Sequence, residues 1–85
     1  MSDEWQLLLS ARVMVFVLDQ PLRTRRRLLD LLESLRQHPV LRDDDLPRYD
    51  SRGRLNHLRF DGDFAVLFWI DHAEKAVQVL EIGWQ

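Results

Sequence analysis

The stretch from Arg48 to Arg59 concentrates groups that can hold a phosphate or move a proton, among them Arg48, Tyr49, Arg54, His57 and Arg59. His57 and Arg59 are two positions apart in a strand-like run, Leu55–Phe60, so both project to one side of a strand. Imidazole titrates near neutral pH and guanidinium is permanently charged, so the pair has the makings of a general acid or base beside a charge stabiliser. The same two residues also fit the solvated face of an edge strand, and the sequence leaves both readings open. Arg48, Arg54 and Arg59 are candidate contacts to nucleic-acid phosphates.

Other charged groups suggest less. "RTRRR" (23–27) is either a phosphate-binding run or a solvated helix face paired with Asp30 or with Asp43, Asp44 and Asp45. Three adjacent carboxylates cannot all face one ion on a regular backbone, and no EF-hand spacing follows them. His38, His57 and His72 have no metal-ligand spacing, and there is no cysteine to complete a zinc site. No metal and no cofactor is expected. Trp69 and Trp84 are either core or the lining of a groove for an apolar partner helix.

Eighty-five residues suggest a single domain, 1–85, with a modest core. The hydrophobic share of 46% is too high for a disordered chain. The absence of cysteine suits a reducing cytoplasm. No apolar run is long enough to cross a membrane, and the acidic start, "MSDEW", does not look like a secretory signal. The net charge of −2 is unevenly spread: residues 23–59 carry ten arginines against six acids, while residues 60–85 carry Lys75 against five acids. A dedicated nucleic-acid binder is usually basic overall, so such binding would have to be local.

These groups need elements to position them. "EWQLLL" (4–9) suits a short strand. Residues 10–20 are ambiguous: Ser10 is a fit helix cap and Val13, Phe16 and Val17 follow helical spacing, yet Val13, Val15 and Val17 alternate and are β-branched. Residues 21–39 read clearly as a helix, with Pro21 at its start, Leu28, Leu31, Leu32 and Leu35 on one stripe facing the sheet, and Pro39 beyond its end. Residues 40–54 read as a loop. Three strands follow, at 55–60, 63–71 and 76–84, the first two joined at Asp61-Gly62 as a tight type I′ hairpin.

This order resembles the RelE/ParE superfamily of type II toxin–antitoxin (plasmid stabilisation) systems over almost the whole chain. "SARV" resembles the family's first helix start, "RRRLLDLLESLRQHP" its second helix, and "LRFDGDFAVLFWIDHAEKAVQVLEIG" its hairpin and last strand. The resemblance implies an α+β fold, β-α-α-β-β-β, with a four-stranded, mainly antiparallel sheet and two helices packed on it. It also implies that residues 10–20 are helical. The implied function is a toxin held by a cognate antitoxin protein, acting as a ribosome-dependent mRNA interferase. Family members that cut messenger RNA use a basic cluster and often a tyrosine. Phe64 matches the hairpin aromatic, and Ala65 stands where an arginine follows it. After Gly83, where a basic residue is usual, come Trp84 and Gln85, and the tyrosine-bearing tail is absent. The expectation is therefore weak or absent ribonuclease activity. The alternatives are a non-catalytic binder of the same fold, gyrase-poison-like or a remnant, and a small oligomerisation module or homodimer.

Overall fold

The computed structural model describes residues 4–85. Met1–Asp3, part of the acidic start read against a signal peptide, lie outside the described residues. The elements run β1 (Gln6–Leu9), α1 (Ala11–Leu18), α2 (Leu22–Gln37), β2 (Leu46–Tyr49), β3 (Leu55–Asp61), β4 (Phe64–Asp71) and β5 (Ala76–Trp84). The five strands form one mixed sheet in the order β1-β5-β4-β3-β2. β1 is parallel to β5 and every other pairing is antiparallel. One difference from the expected four-stranded, mainly antiparallel sheet follows. Residues 46–49, inside the expected loop, form a fifth, edge strand on β3, while three of the four pairings are antiparallel as expected.

The ambiguous segment is a helix. Ser10 Oγ accepts from the Val13 amide at 3.2 Å and donates to the Leu80 carbonyl at 2.8 Å. One hydroxyl thus caps the helix and ties it to β5, where the register with β4 shifts. Val13 and Val17 are buried, so packing overrides the β-preference of the valines. On α2, Leu28, Leu32 and Leu35 are buried, while Leu31 only packs at the core margin. Pro21 is the N-cap rather than the first helical residue.

In β4, Phe64, Val66 and Phe68 face the helices and meet Val13, Val17, the α2 leucines, Val77, Val79 and Ile82. Ala65, Leu67 and Trp69 alternate onto the opposite face, which no helix among the described residues covers. The β3–β4 hairpin is closed one residue later than expected. Asp61 pairs with Phe64, so Gly62 and Asp63 are the central residues. Gly62 has φ +57 while Asp63 is not among the positive-φ residues, the pattern of a type II′ turn rather than type I′.

Candidate functional site

The uncovered face holds a groove of about 460 Å³ between β2, β3, β4 and β5. Its floor is Leu58, Leu67, Ala65 and Gly83; its walls include Arg48, Tyr49, Asp50, Asn56 and Glu81. Ala65 and Gly83 pair directly across the strands, so a methyl group neighbours a residue with no side chain in the floor. The Asn56 residue is 3% exposed and its Oδ1 has no hydrogen-bond partner among the described residues. That oxygen is an unpaired acceptor buried behind the groove wall.

Two of the predicted cations lie on this face. Arg48 is exposed on the edge strand, with Nη1 donating to the Pro47 carbonyl at 3.2 Å. The Arg54 guanidinium lies 4.4 Å from the centre of the Trp69 ring and 3.3 Å from Asp50. Trp69 therefore carries a cation rather than an open apolar surface. The Asp50 carboxylate accepts from the backbone N–H groups of Arg54 and Arg52. The Arg54 N–H bond is the main reason its carboxyl is held below the usual carboxylate range, against a smaller opposing effect of burial. Glu81 pairs with Arg12 at 3.1 Å.

His57 and Arg59 do share one side of β3, as their spacing requires, but it is the helix side. His57 pairs with Phe68 and Arg59 with Val66 in the β3–β4 register. Arg59 is 5% exposed. Its Nε and Nη2 donate to the Asp45 carboxylate at 2.8 and 2.7 Å, Nη2 also donates to the Val40 carbonyl at 3.0 Å, and the guanidinium lies 4.9 Å from the Phe68 ring centre. The expected pairing of Arg59 with His57 as an open acid–base site, and its expected contact with nucleic acid, are corrected by this geometry: the guanidinium is closed off by Asp45, Val40 and Phe68. Burial pushes the Asp45 carboxyl up, but the bonds from Arg59 and from the Arg42 N–H, with the two positive charges, outweigh it and the net shift is downward.

Trp84 and Trp69 are on opposite faces. Trp84 stands on the helix side, with its ring 4.9 Å from Phe64 and 6.1 Å from Phe16. The two tryptophans cannot line one groove. The "RTRRR" run pairs differently from expectation: Arg27 meets Asp63 at 3.3 Å, and Arg25 Nη2 donates to the Leu18 and Gln20 carbonyls. Of the triple aspartate, Asp45 is the partner of Arg59. Tyr49, named with Arg48 in the sequence cluster, lines the groove beside it, whereas sequence reasoning missed Asn56 altogether. The alternation Asn56, Leu58, Phe60 along β3 is the signal that places Asn56 on the uncovered face.

No family model matches this sequence, and no curated protein matches it. Solved structures do. The chain is similar to an archaeal RelE–RelB complex from Pyrococcus horikoshii, with a TM-score of 0.74 and 18% identity over 95% of this chain and 94% of that one. It is similar to the toxin–antitoxin complex RelBE2 of Mycobacterium tuberculosis, at 0.76 and 13% over 96% and 99%. The isolated RelE toxin of E. coli follows at 0.72 and 13%, over 94% of this chain and 83% of that one. With two helices on one face of a mixed five-stranded sheet and near-complete mutual coverage, this chain has the fold of the RelE toxins.

Proposed function

We propose that this protein is the toxin-like component of a type II toxin–antitoxin system, held by a cognate antitoxin and acting in the cytoplasm on ribosome-bound mRNA through the uncovered groove, with weakened cleavage chemistry. The observation that carries this reading is the Ala65–Gly83 floor in a RelE fold. The groove has room for a nucleotide and a cation in its wall at Arg48 to meet phosphate, with Arg54 stacked on Trp69 beside it and the unpaired Asn56 Oδ1 buried behind its wall. It lacks a cation at its floor. Attack by a ribose 2′-hydroxyl needs a base, an acid and a stabiliser for the charge that develops on phosphorus. A methyl group at position 65 supplies none of these. Losing one well-placed charge-stabilising donor typically costs about 10²–10³ in rate.

The test is cleavage of mRNA on programmed ribosomes. Wild-type cleavage is expected to be weak, to rise in Ala65→Arg, and to fall further in Arg48→Ala with Arg54→Ala. Robust wild-type cleavage indifferent to Arg48 and Arg54 would reject the groove as the site. Induced expression that neither slows growth nor alters mRNA would reject the toxin reading.

A further inference from the structure

The two cations on the uncovered side of the sheet are held very differently. Arg48 stands on the exposed edge strand β2, and its side chain donates one hydrogen bond, to the neighbouring Pro47 carbonyl. Arg54 is fixed at both ends. Its backbone closes a turn: the Asp50 N–H donates to the Arg54 carbonyl and the Gly53 N–H to the Asp50 carbonyl, each at 3.0 Å, and Asp50 Oδ1 accepts from the Arg52 and Arg54 N–H groups, each at 2.9 Å. Gly53 has φ +82, a conformation that glycine adopts at little cost. At the other end, the guanidinium lies over the Trp69 ring, and Nε is buried 3.3 Å from Asp50 Oδ2. Nη1 and Nη2 make no hydrogen bond with the described residues and are not buried, in a side chain that is 39% exposed. Trp69 is not part of the core cluster formed by Phe64, Val66 and Phe68 of the same strand. What its ring carries is the guanidinium.

We propose that Trp69 is a positioning residue: its indole face, with the Asp50 turn, holds the Arg54 guanidinium beside the groove as a preset fork for one phosphate of a single-stranded RNA. The chemistry follows from the shape of the two groups. A guanidinium is planar, and stacking on an indole occupies its face. Its N–H donors lie in the plane and stay available at the edge. With Nε turned inward to Asp50, the two Nη groups remain, and a phosphate accepts from such a fork through two oxygens. A long flexible side chain loses rotamer freedom when it binds, and one already stacked has less to lose. Trp69 thus acts on the ligand through Arg54, whereas Arg48 has no such support. The inference rests on the groove reading proposed above and adds to it the residue that orders one of its cations.

The probe is a short single-stranded oligoribonucleotide titrated against the whole chain. Trp69→Leu should weaken binding about fivefold, and Trp69→Phe, which keeps an aromatic face, should restore most of the loss. Trp69→Leu with Arg54→Ala should bind no worse than Arg54→Ala alone, while Trp69→Leu with Arg48→Ala should show the two losses added. A merely structural role for Trp69 would make it additive with both. Arg54→Lys, which keeps the charge and loses the planar fork, should weaken binding nearly as much as Arg54→Ala, and this variant leaves Trp69 and the fold in place. In the free protein, the Arg54 Nε–H resonance should be dispersed and protected from exchange, and should lose both properties in Trp69→Leu. Thermal melting of each variant separates lost binding from lost folding. Binding weakened by Arg54→Ala but not by Trp69→Leu would overturn the proposal and leave the groove reading standing. So would full affinity in Arg54→Lys, which would show that charge alone counts. Inorganic phosphate bound as tightly as the oligonucleotide, with the same dependence on Trp69, would assign the fork to a free anion and overturn the RNA assignment. RNA binding that is absent, or indifferent to both Arg48 and Arg54, would reject the fork and the groove together. Coupled loss at Trp69 and Arg54 in a protein that cleaves no mRNA on ribosomes would support the fork and sink the cleavage reading.

Discussion

Arg59 and Asp45 form a bidentate pair whose side chains are 6% and 0% exposed, and the arginine also holds the Val40 carbonyl. The pair fastens the segment between α2 and β2 onto the sheet. Removing one partner strands a buried charge, so Arg59→Met should cost about 3–5 kcal/mol in a urea titration. A cost below about 1 kcal/mol, the range of a surface pair, would show that the pair is open to solvent. The pH dependence follows from the same contact. The Asp45 carboxyl titrates below its ordinary value in the folded chain, so its contribution is fully present above the unfolded value. It is lost as pH falls below about 4 and on through the depressed folded value. Stability should therefore drop on acidification, and Asp45→Asn should flatten that drop. A variant with an unchanged acid limb would place the acid sensitivity elsewhere, with Asp50 the next candidate. None of this could be read from "DDD" or from the spacing of His57 and Arg59. Alternation says that two residues share a side of a strand; which side the helices cover is a tertiary fact. The identity of the arginine's partner, 14 residues away, depends on the path of an irregular segment.

The elements were legible in proportion to their periodicity. α2 has a strong 3.6-residue pattern and a proline at each flank, and it lies within a residue or two of where the pattern puts it. Its stripe is narrower than the spacing alone suggests. Leu28, Leu32 and Leu35 are buried, whereas Leu31 is only partly buried against the core. Leu28→Ala should accordingly cost about 2–5 kcal/mol, and Leu31→Ala distinctly less, measured side by side by chemical denaturation. Equal costs would mean that the stripe is wider than its burial. α1 was undecided because its valines satisfy both periods. Only the cap at Ser10 and the core contacts of Val13 and Val17 separate them. β2 was illegible because it is a four-residue strand, "LPRY", exposed along its length and containing proline. Proline is tolerated there because an edge strand leaves alternate N–H groups without a ladder partner. Missing β2 meant missing the wall that brings Arg48 and Tyr49 to the groove. Ala65, by contrast, was legible, because the strand around it alternates cleanly and the hairpin shift at Gly62 did not change its face.

At the scale of the molecule, the sheet is unequal across its width. β4 is the central strand, paired on both sides with β3 and β5 and packed under the helices through Phe64, Val66 and Phe68. β1 is short but is tied to β5 by the parallel ladder and by Leu7 and Leu9 against the core. β2 has neither support: it pairs only with β3, and all four of its residues are exposed. Local opening is cheapest where buried apolar contacts are fewest. Backbone amide exchange should therefore be slowest in β4 and the facing half of β5, where opening requires most of the core to come apart, and fastest among the strands in β2. The groove divides along the same line. Ala65 and Leu67 of its floor belong to the slow strand, while Arg48 and Tyr49 of its wall belong to the fast one. A ligand that bridges wall and floor should slow exchange in β2 selectively, because ordering is available to be gained there and already complete in β4. Oligoribonucleotide added to saturation is the direct trial, with amide exchange followed by strand. Protection that rises in β2 and in Arg54 fits a ligand seated in the groove. Uniform protection of all five strands would instead indicate global stabilisation without a located site, and β2 exchanging as slowly as β4 in the free protein would show that Arg48 and Tyr49 stand on a rigid wall.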